Sequence, residues 1–308
     1  MISSSQPTIT DKNGIATRQD ADHNLRKLAA QRQLYSDAKT LLQSQFLAVV
    51  FFQAVFLLSL LWPELKSSGI GMAVAYALLD LLWLTPRQKK LRSKAAAIQE
   101  AFDCDVLVLP WKSTQAGEQP RAEEIEDAYR RFVARNGSVR DLKAWYDDPR
   151  LPELSLDIAR LVCQRTNAVW DSRLKHHFAG WMLGATLGIC ATVVLAGLLG
   201  DMSLRDFLVS AVTPLLPAIL FGARQVTDSR DTATRQERLE ANAARLILAA
   251  SEGDTISTAQ ARALQDEILD IRSRNPLIFD WIYRRKRDEY ASLIHAGTED
   301  MLRRRASA

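Results

Sequence analysis

FAGWMLGATLGICATVVLAGLLG, residues Phe178–Gly200, carries no charged side chain and is long enough to cross a bilayer as a helix. A helix rises about 1.5 Å per residue, so roughly 20 apolar residues span about 30 Å of hydrocarbon. Three more stretches share this character: Thr40–Pro63, Ser67–Pro86 and Phe207–Ala223, with Asp80 the one ionisable carboxylate among them. The last is short and holds Pro214 and Pro217, which predicts a kinked span whose freed carbonyl is satisfied by neighbouring helices. Stretches of this length seldom avoid charge in a soluble core. The pattern predicts a mainly α membrane protein with four transmembrane helices paired as two hairpins.

The flanks predict the orientation. The connections within the hairpins, Trp62–Ser68 and Gly200–Asp206, are short and not basic. The opposite ends are: Arg26, Lys27, Arg32 and Lys39 precede the first span, and Arg87, Lys89, Lys90, Arg92 and Lys94 follow the second. Arg165, Arg173 and Lys175 lead into the third, and Arg224 and Arg230 leave the fourth. Positive charge stays on the cytoplasmic side, so the N-terminus, the middle segment and the C-terminus are expected there. Trp62, Trp83 and Trp181 stand near span ends, where aromatic rings favour the interface. The expected division is a cytosolic tail and helix (1–39), a first hairpin (40–86), a middle module (87–177), a second hairpin (178–223) and C-terminal helices (224–308).

The chain has 308 residues and a formal charge of +4, concentrated beside the membrane. That placement suits topology and attraction to lipid rather than DNA or RNA. Cys104, Cys163 and Cys190 are well separated and are expected as free thiols. The adjacent His176 and His177 point different ways on a helix and have no companion at ligand spacing, so no metal or other cofactor is expected. The N-terminus shows no cleavable signal pattern.

Outside the spans, residues 1–18 read as disordered. A helix beginning near Asp20 is expected to run into the first span. Pro86 is expected to open a helix over Arg87–Asp103, followed by a short strand at DVLVLPW, Asp105–Trp111. Further helices are expected over Ala122–Ala134, closed by Asn136-Gly137, and around Asp141–Tyr146. Between Pro152 and Gly180, and again between Gly222 and Gly253, no helix breaker occurs, so spans three and four should continue as long helices outside the bilayer. Ser257 to Gln260 fits a capping box. Asn275 and Pro276 fit the start of a last helix ending near Gly297.

Three constellations could carry function. The third span places small residues at every fourth position, Gly180, Gly184, Gly188, Thr192, Ala196 and Gly200. Such a ridge lets another helix come close, either inside one protomer or between protomers in a homo-oligomer. Asp80 lies inside the second span, where a carboxylate lines a water path or joins helices; Gln53 of the first span is the expected partner. In CQRTNAVWDSRL (Cys163–Leu174), Arg165, Asn167, Trp170 and Arg173 could serve a nucleotide, since guanidinium forks match phosphates and aromatic planes stack on bases. The same segment also reads as a juxtamembrane helix with basic residues toward headgroups and its Trp packed inside. Asp103 and Asp105 flank Cys104 without a His, metal ligand or phosphate loop, so no catalytic residues are assigned and no enzyme is expected.

Four segments together resemble the SMODS-associated four-transmembrane effectors, a family proposed to form pores. They are NLRKLAAQRQLYSDAK (24–39), IQEAFDCDVLVLPW (98–111), CQRTNAVWDSRL (163–174) and NPLIFDWIYRRKRDEY (275–290). The resemblance covers essentially the whole chain. It implies an effector in the bacterial inner membrane that answers a cyclic oligonucleotide made by a nucleotidyltransferase. Such an effector permeabilises the membrane and kills or arrests the phage-infected cell. A membrane-anchored signalling scaffold that binds a protein partner, with no pore, is the other reading.

Overall fold

Long helices that change character along their length dominate the molecule. The structure is a computed structural model describing residues 11–59, 62, 64–200, 203, 205, 213–250 and 256–307. A short α1 (Ile15–Gln19) leads into α2 (Asp22–Ser59), which passes from a charged half into an apolar one without a break. Helix α3 (Leu65–Leu79) continues through a π-helical turn at Asp80–Leu84 into α4 (Thr85–Leu107). Short helices α5 (Ser113–Ala116) and α6 (Ala122–Asn136) follow. Then come α7 (Leu156–Leu199), α8 (Thr213–Ala249), α9 (Thr258–Arg274) and α10 (Asp280–Ser307). The breaker-free runs thus form single helices, and Ser257 and Gln260 make the expected capping box.

Pro86 does not open a helix. It sits in the second position of α4 while the chain remains helical through it. The preceding π turn, with the Thr85 N–H donating to the Asp80 carbonyl, widens the helix where the proline lacks an N–H. Around residues 141–146 only a 3₁₀ turn forms, Arg140–Leu142, and Ala144 then takes a positive φ of 51°. The tail is ordered from Asp11 onward: Asp11 accepts from the backbone of Gly14 and Thr17, Asn13 donates to Leu151 O at 2.6 Å, and Ile15 is fully buried. Residues 1–10 lie outside those described.

The strand expected at Asp105–Trp111 is absent; no strand occurs among the described residues. Helix α4 claims residues through Leu107 and ends on Val108 in the left-handed region, φ 53°. Three arginines from distant segments satisfy the orphan carbonyls there. Arg18 donates to Val106 O at 2.9 Å, Arg160 to Leu107 O at 2.6 Å and Val108 O at 2.8 Å, and Arg262 to Pro110 O at 3.2 Å. A helix end normally leaves four carbonyls unpaired, and charged donors give the stronger bonds. Those guanidiniums outweigh the β-preference of Val, Leu and Val.

Among the described residues two helices, α2 and α7, are long and apolar enough to cross a membrane, with mean hydropathy of 2.0 and 2.2 in their richest windows. Only 18% and 17% of those windows are buried, whereas the core helix of a soluble protein would be mostly covered. Helix α3 is 15 residues long before its π turn, and the residues just ahead of Thr213 lie outside those described. Leu81 and Leu82 beside that turn are 66% and 73% exposed.

Four packed clusters organise the described residues, one of them Ala30, Leu34, Ala95, Ile98 and Ala128, where α2, α4 and α6 meet. The polar module has a core around Phe102, Leu107, Leu142, Leu161, Leu239 and Ile268. A second cluster, at the junction with the apolar helices, joins Leu42, Leu174, Phe178, Val226, Ile278 and Phe279. A small further one, Val193, Leu215 and Ala218, packs α7 on α8 with Val49 of α2 alongside.

Candidate functional site

The module is held by charges that lie inside it. Glu100 and Asp103, 1% and 0% exposed, stand on one face of α4, and α9 offers Arg262, Gln265 and Arg272 at matching spacing. Arg262 pairs with Glu100 at 2.5 Å and Arg272 with Asp103, while the Gln265 amide bridges both carboxylates at 2.8 and 3.0 Å. The Tyr146 hydroxyl donates to Asp103 at 2.8 Å, and Asn167 of α7 donates to that hydroxyl at 3.2 Å. Burial works against the Arg272 charge, but Asp103 beside it wins and holds the guanidinium above its ordinary pKa. Burial, then Asp103, pushes the Tyr146 phenol well up. Burial, then Glu100, pushes the Cys104 thiol up to about 12, and Cys163 rises for want of solvent. All three cysteines are free, and Cys104 and Cys163 stay protonated thiols at neutral pH.

The four residues read as a nucleotide site fan around α7 rather than converge. Arg165 pairs with Glu240 of α8 at 2.8 Å. Asn167 joins the Tyr146 network, and Trp170 packs against Tyr283 and Tyr290 of α10, with ring centroids 5.8 and 6.2 Å away. Arg173 alone of the four is exposed. Successive residues turn about 100° on a helix, so these positions address three different neighbours. Among the described residues, no group of His, Cys, Asp or Glu is placed to hold a metal ion.

At the junction lies a segment that was expected to begin the last helix. Asn275–Phe279 instead lies outside any helix, and α10 starts at Asp280 and runs past Gly297 to Ser307. Residues before proline avoid the helical region, and Asn275 follows that rule at φ −57°, ψ 129°. The segment wedges between α2, α7 and α8. The Phe279 ring lies 5.6 Å from Phe46, 5.6 Å from Phe178 and 5.4 Å from Trp181, centroid to centroid. Arg92 of α4 donates to Ser273 O and Asn275 O at 2.9 and 3.1 Å, and Lys39 of α2 pairs with Asp280 at 2.7 Å. Lys175 of α7, almost wholly buried, donates to the Pro276 carbonyl. Burial lowers its pKa to about 7, with Asp171 nearby pulling the other way. Asp171 in turn accepts from Gln236 at 3.1 Å and Asn275 at 3.0 Å. The run Leu-Ile-Phe after the proline, three apolar residues with no polar alternation, was the signal that this stretch is buried.

In the apolar half, Asp80 is joined to α2 through Gln45 at 2.5 Å rather than through Gln53, two turns further along. Thr85 and Gln88 complete the cluster, Gln88 donating to Gln45 at 3.1 Å. Gln53 is buried on the same helix. Among the described residues nothing uses the first part of the glycine ridge: a Cβ added at Gly180, Gly184 or Gly188 would meet nothing within 4 Å. The close crossing of α7 and α8 is made by Gly222, where an added Cβ would fall 2.9 Å from both Thr186 Cβ and Cγ2.

The family model described as the SMODS-associating 4TM effector domain matches residues 13–301. A Bacillus cereus (strain VD146) protein described as a probable CBASS effector molecule is 22% identical over 283 residues, which is 88% of this chain and 93% of that protein. No solved structure matches.

Proposed function

The chain belongs to the SMODS-associating four-transmembrane effector family, and we propose that it is an anti-phage effector of the inner membrane that opens a pore as a homo-oligomer when a cyclic oligonucleotide binds. In this reading α2, α3 with its π turn, the apolar half of α7 and the start of α8 are four spans in two hairpins, with both termini cytoplasmic. The observation that carries it is the open ridge on α7. Gly180, Gly184 and Gly188 face no neighbour within the protomer among the described residues, and the same unbroken helix runs back into the polar module. In lipid, close backbone approach and dispersion drive helix association, so a second copy of α7 or another span has a seat there.

The module supplies the control. Arg165, Asn167, Trp170 and Arg173 are the candidate ligand residues. For Arg165 and Trp170 to serve a nucleotide they must leave Glu240 on α8 and the tyrosines of α10. Ligand binding would therefore shift the helices that meet the wedge at Asn275–Phe279. Rotation of α7 then turns the ridge toward its partner and opens a water path beside Asp80. Only a ligand with higher affinity for the open arrangement drives that change. No covalent step is required, and no catalytic residue is assigned.

Liposomes holding the purified chain, loaded with a fluorescent dye and exposed to a panel of cyclic oligonucleotides, test the reading. Leakage with one nucleotide and none with the others is expected. Absence of both binding and leakage at every protein density sinks it. Capture of a protein partner without loss of membrane potential in cells favours the scaffold.

A further inference from the structure

We propose that the cleft between α2, α4 and α6 binds the headgroup of an amine-bearing zwitterionic phospholipid, phosphoethanolamine on its glycerol. The inference rests on the membrane placement proposed above. The cleft is about 700 Å³. It begins at the π turn with Trp83, whose neighbours Leu81 and Leu82 face outward, so one end opens where hydrocarbon gives way to water. Its charged lining consists of two guanidiniums, Arg87 and Arg131, and two carboxylates, Asp37 and Asp127.

These charges are not equivalent. Arg131 is held between Asp37 at 2.5 Å and Asp127 at 3.2 Å. Arg87 is exposed and has no ion-pair partner among the described residues. Their order along the membrane normal follows from the helix directions. One turn of α4, about 5.4 Å, separates Trp83 from Arg87 as the chain leaves the apolar half. On α2, running the other way, Asp37 lies one turn before Leu41 and thus farther from the bilayer. The unpaired cation therefore stands nearest the hydrocarbon, and the carboxylates stand beyond it.

A phosphoethanolamine lipid has the same order reversed in sign: phosphate next to the glycerol, ammonium outside it. The Arg87 fork suits two phosphate oxygens, and the ammonium donates to Asp127 and Asp37. Trp83 lies at the level of the glycerol, where indole rings settle. A purely anionic headgroup meets two carboxylates with no charge to offer them. A choline headgroup brings its charge without an N–H. The same balance disfavours a polyanionic nucleotide in this cleft.

The test uses the full chain in bilayer discs of phosphatidylcholine doped with equal amounts of phosphatidylethanolamine and phosphatidylglycerol, with retained lipids counted by native mass spectrometry. Retention of the ethanolamine lipid about tenfold over the glycerol lipid is expected, the ratio that one charge-assisted hydrogen bond supplies. Arg87→Ala and Asp127→Asn should each lower that ratio toward one; both side chains are exposed, so the fold is not at stake. Equal retention of the two lipids, or ratios unmoved by both substitutions, overturns the proposal. Competition by glycerophosphoethanolamine as effective as by the intact lipid also overturns it, because the ligand would then be a soluble phosphoamine. Carbonate extraction separates the two levels: a chain washed off the membrane ends the four-span reading, and one that stays but shows no preference ends only this inference.

Discussion

The two halves of α7 differ in what surrounds them. From Leu156 to His177 nearly every long side chain has a partner: Arg160 caps α4, Gln164 donates to Ala261 O at 2.8 Å, Arg165 meets Glu240, and Lys175 reaches Pro276. From Phe178 to Leu199 five leucines are exposed, and Gly180, Gly184 and Gly188 have no neighbour within 4 Å of an added Cβ among the described residues. The first half is completed by its own protomer. The second meets α8 at Val193 and Thr186, and under the function proposed above the rest of its apolar surface is left to lipid or to another copy, because apolar surface in hydrocarbon gains nothing from folding inward.

The largest break in that contrast comes from the completed half. Arg272→Met leaves Asp103 buried and uncompensated, which should cost about 3–5 kcal/mol. Urea unfolding followed by far-UV circular dichroism checks it, and a midpoint equal to the wild type removes the network from the stability of the module. Gly222→Ala tests the tight crossing of α7 and α8 at Thr186. Overpacking against Thr186 should cost about 1–3 kcal/mol, with recovery on adding Thr186→Gly.

The pH dependence at the junction is smaller per unit. Unfolded, Lys175 keeps its proton to its ordinary value of 10.5; folded, it releases it near 7. Between those values the unfolded chain holds more protons, so stability rises with pH, by at most about 1.4 kcal/mol per unit. Asp171, Lys39 and Arg92 face the same site. Thermal melts from pH 7 to 10 should rise for the wild type and flatten for Lys175→Met; parallel slopes refute the assignment. The smallest effect on stability is expected for Gly184→Leu, within about 0.5 kcal/mol, because an added Cβ meets nothing within 4 Å among the described residues. That variant should nevertheless lose self-association and dye leakage, and unchanged toxicity in cells takes the ridge out of the mechanism.

Much of the helical layout was legible because its causes are local. Charge-free length, the absence of Gly and Pro, and the Ser257–Gln260 box each act within a few residues. The misreadings occur where distant groups decide. Asp105–Trp111 carries a strand-like run, yet Arg18, Arg160 and Arg262 converge on its carbonyls from separate parts of the chain. Asn275-Pro276 looks like a helix start, yet Leu277, Ile278 and Phe279 are buried in an apolar cluster and stay outside the helix. At Cys163–Leu174 the sequence shows that Arg165 and Trp170 are near each other but not that Glu240 and Tyr283 occupy them.

The sequence alone determined the apolar lengths and the helices that pass unbroken out of them, because both follow from hydropathy and backbone preference within one segment. Tertiary structure decided that Gly222 is spent on the α7–α8 crossing while Gly180, Gly184 and Gly188 meet no neighbour among the described residues, that Gln45 rather than Gln53 meets Asp80, and that two buried ion pairs tie α9 to α4. Each of those outcomes depends on the approach of residues far apart in the chain, and the free energy of such contacts is set by burial that exists only once the helices have packed.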